Sequence, residues 1–83
     1  MELPTKESLT IEFKSDRKRL PDSELVDAVV GMSNTEGGTL YLGIEDNGEV
    51  TGLHPDHAHA LPIIAMIANK TVPPISARAE ILK

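Results

Sequence analysis

Hydrophobic and polar residues alternate with a period of two across residues 9–14. Leu9, Ile11 and Phe13 fall on one face, Thr10, Glu12 and Lys14 on the other. That period marks a half-buried strand, preceded by an irregular lead-in at residues 1–8 that holds Pro4. After a polar connection at residues 15–20 the period changes. Leu25, Val29 and Met32 recur at i, i+4 and i+7, widened by Val26 and Ala28, the stripe of a core-facing helix. Asp22 or Ser23 is the expected N-cap, acids fill the first turn, and the helix should stop near Ser33 or Asn34, ahead of Gly37-Gly38. A second strand at residues 39–45 turns Leu40, Leu42 and Ile44 to one side. Asn47-Gly48 signals a type I′ hairpin with positive φ at both positions, returning antiparallel through residues 49–53. A second helix is expected over residues 56–70, burying Ile63, Ile64, Ile67 and Met66, with Pro62 at or near its regular start. Val72-Pro73-Pro74 ends it, and residues 75–82 alternate as a last strand. The pattern therefore predicts an α+β domain in the order β-α-β-β-α-β, a small mixed sheet with two helices packed on it.

Composition narrows the picture. An 83-residue chain supports one domain with one modest core, and 40% apolar with 25% charged residues is a globular balance. No apolar run reaches the ~20 residues that span a bilayer, and no signal-peptide pattern opens the chain, so the expected location is cytoplasmic. Without cysteine there is neither a disulfide nor a thiolate metal site. Thirteen acids against eight bases leave a net charge of −5, which argues against a surface basic throughout. Phe13 and Tyr41 are the only aromatic rings besides histidine, too few for a base-stacking platform. Nucleic-acid contact would have to be local and directed at the backbone.

Three blocks of the sequence carry a resemblance. Glu7-Ser8-Leu9-Thr10-Ile11-Glu12-Phe13-Lys14 is followed by a helix that ends in Ser33-Asn34-Thr35-Glu36-Gly37-Gly38-Thr39. The third block is Leu42-Gly43-Ile44-Glu45-Asp46-Asn47-Gly48-Glu49-Val50-Thr51-Gly52. Together, from about residue 7 to residue 74, they resemble the Schlafen/AlbA-like DNA-binding domain family, with Met32 where an aromatic residue is common. The resemblance implies a domain that opens larger transcriptional regulators, so residues 1–83 read as a single N-terminal domain whose C-terminal partner domain lies downstream. It also implies a second possibility, since a related domain in Schlafen proteins cleaves structured RNA with two glutamates and an aspartate. The matching positions are Glu7, Glu12 and Asp46. An ATPase activity, also attributed to the family, finds no Gly-x-x-x-x-Gly-Lys-Ser/Thr loop in this chain.

Each candidate has a plainer alternative. Gly37-Gly38 follows a helix instead of opening one, so a helix stop is preferred over a phosphate loop. Glu7, Glu12 and Asp46 suit Mg²⁺ or Mn²⁺ if they converge. Otherwise Glu12 pairs with Lys14, Asp46 occupies a turn and Glu7 is solvated, and this plainer reading is preferred. Lys14, Arg17, Lys18 and Arg19 surround a single acid, Asp16, in the only basic cluster, and are the candidates for phosphate contact. His54, His57 and His59 have poor spacing for one metal. The leading expectation is a DNA-binding module acting through residues 14–19 without a cofactor. The alternatives are a Mg²⁺- or Mn²⁺-dependent endoribonuclease and a homo-oligomerisation module built on a free strand edge.

Overall fold

A computed structural model describes residues 3–81. Strand β1 covers Ile11–Lys14, helix α1 Asp22–Ser33, strand β2 Thr39–Leu42 and helix α2 Ala60–Asn69. A short 3₁₀ turn, Pro55–His57, precedes α2. The two strands pair in parallel, Ile11 opposite Thr39 through Lys14 opposite Leu42, so α1 is the crossover that a parallel pair requires. No helix among the described residues is long and apolar enough to cross a membrane.

The α+β class and both helices agree with the sequence pattern, but the expected four-strand mixed sheet does not form. Among the described residues the sheet has two strands. The first strand is shorter than expected because the chain reverses before it, with Ser8 N bonded to Ile11 O at 2.8 Å. Leu9 sits at that reversal, 93% exposed, and not on the strand's apolar face. The second strand stops at Leu42, where Gly43 takes a φ of 98°. There Gly43 N donates to Lys14 O at 2.7 Å and Gly43 O accepts from Thr51 N and Gly52 N. A Cβ at position 43 would lie 2.8 Å from the Gly52 carbonyl, so this crossing needs a glycine.

The hairpin falls one residue earlier than the type I′ expectation. Gly48 N donates to Glu45 O at 2.8 Å, making Asp46 and Asn47 the central residues. Only Gly48 has a positive φ, 90°, and the Asn47 side chain accepts from Glu49 N. This is the three-residue loop closed by a left-handed glycine. Its return leg makes one bridge, Ile44 to Val50, in place of a strand over residues 49–53.

Helix α1 is capped by Pro21, whose carbonyl accepts from Glu24 N and Leu25 N, with no side-chain cap. Asp22, expected to cap, is bonded to Arg19 instead. The expected single helix over residues 56–70 is divided at Ala58 and His59 into the 3₁₀ turn and α2. Pro62 lies in the first turn of α2, where its missing N–H leaves nothing unpaired. Thr71 is buried and ties the helix end to the segment after it, donating to Ile67 O at 2.9 Å and accepting from Ile75 N at 2.8 Å. Residues 75–81 are not paired into the sheet as the alternation predicted. Leu82 lies outside the described residues.

Strand β1, the segment just after β2 and both helices contribute to a small core. Phe13, Leu25, Ile44 and Ile67 are each at most 4% exposed. Phe13 meets Tyr41 edge to face, centroids 6.2 Å apart, a favoured aromatic geometry. Beside this core runs an apolar groove of about 810 Å³, walled by β2, both helices and residues 75–81.

Candidate functional site

The connection from β1 to α1 is held by the single acid of the basic cluster. Asp16 is fully buried. Its Oδ1 accepts from Leu20 N at 2.7 Å, and its Oδ2 accepts from His54 N and from His57 Nδ1, both at 2.8 Å. A carboxyl group withdrawn from water has to collect donors in this way. The three bonds fold residues 16–20 around Asp16 and fasten them to the segment ahead of α2. His57 is itself 3% exposed, and its Nε2 is buried without a partner among the described residues.

With Asp16 turned inward, the cations beside it face solvent. Arg17, whose side chain is 60% exposed, lies 3.8 Å from Glu45 and 3.7 Å from Glu49, bridging the loop to the hairpin. Arg19 pairs with Asp22 at 2.9 Å and Asp56 at 3.6 Å. Lys14 pairs with Glu12 at 3.5 Å. Lys18 is exposed and makes no ion pair among the described residues. The four cations are thus gathered at the end of β1 and on the connection after it, and three of them are paired with acids. Glu45 is held below the usual glutamate range, first by the Thr51 hydroxyl, which donates to it at 2.6 Å, then by Ser15 and the charge of Arg17; partial burial opposes this.

The carboxylates of the alternative reading are engaged separately. Glu7 Oε1 accepts from Phe13 N at 2.9 Å, Glu12 pairs with Lys14, and Asp46 is exposed in the hairpin turn. No group of three or more histidine, aspartate or glutamate side chains among the described residues is placed to hold a metal ion. His54 instead caps the 3₁₀ turn through Asp56 N. Gly37 and Gly38 have φ of 81° and 146°, and Gly37 N bonds Met32 O at the end of α1, the helix-stop geometry. A side chain on Gly38 would run into the Thr10 carbonyl.

The residues missed were Asp16 and His57, 41 positions apart. The available signal was faint: a lone acid in a basic run, and a histidine after a His-Pro-Asp cap.

The model that describes the family "Schlafen, AlbA_2" matches residues 7–83. No curated protein and no solved structure gives a match.

Proposed function

The chain belongs to the Schlafen, AlbA_2 family, a membership that points to a nucleic-acid-related function, and from it we propose that residues 14–19 bind nucleic-acid backbone. DNA is the proposed target and regulation of transcription the proposed role. The observation that supports this reading is the buried Asp16, because it fixes the loop in a shape that leaves Arg17 and Lys18 outermost. Lys18 is available as it stands. Arg17 is held by two long ion pairs, and exposed pairs of this kind are worth only about 0–1 kcal/mol, so a phosphate can displace them. Arg19 and Lys14 are more closely engaged and contribute less. Such contacts position the protein without reading sequence. None of the contacts made by Glu7, Glu12 or Asp46 favours the nuclease reading.

Titrating labelled duplex DNA at low salt, beside single-stranded DNA and structured RNA, tests the proposal. Binding should be lost in Arg17→Ala/Lys18→Ala and kept in Lys6→Ala, which removes an exposed cation outside the loop. No binding to any of these nucleic acids at low salt, or equal binding by the double variant, would overturn it.

A further inference from the structure

The segment after α2 has properties that neither the fold nor the proposed site uses. None of the hydrogen bonds among the described residues involves residues 76–81; the last one before them is Ile75 N to Thr71. Their side chains alternate nonetheless. Apolar Ile75, Ala77, Ala79 and Ile81 take one set of positions and polar Ser76, Arg78 and Glu80 the other; only Ile75 and Ala77 are half-buried, and the whole segment borders the apolar groove. Arg78 and Glu80 form no ion pair among the described residues. A segment with a row of open N–H and C=O groups and alternating apolar and polar residues is a template for strand pairing.

We propose that this segment pairs antiparallel with the same segment of a second copy, about a two-fold axis at Ala79. Charge decides both the occupant and the register. Directly opposed residues in an antiparallel pair share a face, so a polar position must meet a polar position and an apolar one an apolar one. An axis at Ala79 sets Arg78 opposite Glu80 of the second copy, and Glu80 opposite its Arg78, by the positions alone. On the other face Ala77 meets Ile81, continuing the apolar wall of the groove. Moving the axis to Arg78 or to Glu80 would set like charges directly opposite each other. Shifting the register by a single residue would oppose charged to apolar positions, Arg78 to Ala79 and Glu80 to Ala77. One register is therefore self-complementary, as an isologous interface requires.

Sedimentation velocity over a concentration series tests this with wild type, Arg78→Glu, Glu80→Arg and an equimolar mixture of the two variants. Wild type should dimerise reversibly. Each variant alone opposes like charges twice, and its dimer dissociation constant should rise about tenfold or more. In the mixture both cross-strand pairs become attractive, so dimerisation should return as a heterodimer. Both residues are exposed, so circular dichroism should be unchanged. A wild type that stays monomeric at every concentration, variants that dimerise as wild type does, or a mixture that stays monomeric would each overturn the proposal. So would amide protection across residues 76–81 that does not depend on concentration, because it would mean pairing within one chain.

Discussion

Asp16 joins distant parts of this molecule, since one carboxyl group ties the loop to itself and to the segment ahead of α2. Replacing it with asparagine exchanges one acceptor oxygen for an NH₂ group. Whichever way the amide is turned, at least one of the three donors is then left buried without an acceptor. Each such loss costs about 1–3 kcal/mol, so Asp16→Asn should lower the unfolding free energy by about 2–3 kcal/mol in a urea titration. Glu45 makes a prediction of a different kind. Its folded-state pKa lies below its unfolded value, chiefly through the Thr51 hydroxyl. The stabilisation is therefore present above the ordinary glutamate range and is lost as pH falls through the lowered value. Stability measured from neutral pH down through about 4 and below should decline in wild type, with a shallower decline in Glu45→Gln. Equal slopes for the two proteins would show that Glu45 plays no part. Neither Asp16 nor its partner His57 was legible from the sequence, because a contact across 41 residues leaves no local period or spacing. The basic cluster was legible, but the acids around it come from the hairpin, α1 and the 3₁₀ turn, and only folding brings them together.

At the scale of elements, glycine position separates what is fixed from what is free. Gly31 lies in the exposed face of α1, with nothing within 4 Å of the place where a Cβ would stand. Gly31→Ala should therefore stabilise the protein by about 0.5–1 kcal/mol through helix propensity and unfolded-state entropy. Gly38 is the opposite case, with φ of 146° and the Thr10 carbonyl in the way. Gly38→Ala should cost about 2 kcal/mol or more. Thermal melts of the two variants should move in opposite directions. The same contrast explains how far the fold could be read in advance. Helix α1 lies within its expected range because its apolar stripe, the preceding proline and the glycine stop are all local. Strand lengths were not legible, because they depend on where other segments pair. Leu9 alternates correctly but is consumed by the reversal from Ser8 to Ile11. Val50 has a strand residue's pattern, yet it is 60% exposed beside a single bridge. Residues 75–81 alternate without a partner in the sheet, and alternation prescribes a face without supplying a neighbour.

For the molecule as a whole, charge sets the terms on which the loop can meet a polyanion. The net charge of −5 repels DNA at long range, while Arg17 and Lys18 attract it only at contact. At about 0.01 M salt the screening length is roughly 30 Å, well beyond the 12.1 Å radius of gyration, so the acidic remainder of the surface is felt in full. Near 0.1 M it is about 10 Å, and local contacts dominate. Each phosphate neutralised on duplex DNA contributes about −0.9 to the slope of log K against log salt. Two contacts should then give a slope of about −2 at around 0.1 M, whereas engagement of all four cations would give about −3.6. Removing Lys18 should bring the slope close to −1, and removing Arg19, already occupied by Asp22 and Asp56, should leave it nearly unchanged. Below about 0.05 M the plot should flatten, as repulsion that strengthens with falling salt offsets the gain from counterion release. A slope of −3 or steeper that Arg19→Ala reduces as much as Lys18→Ala would mean that the acids around the loop move aside on binding, and that all of its cations take part.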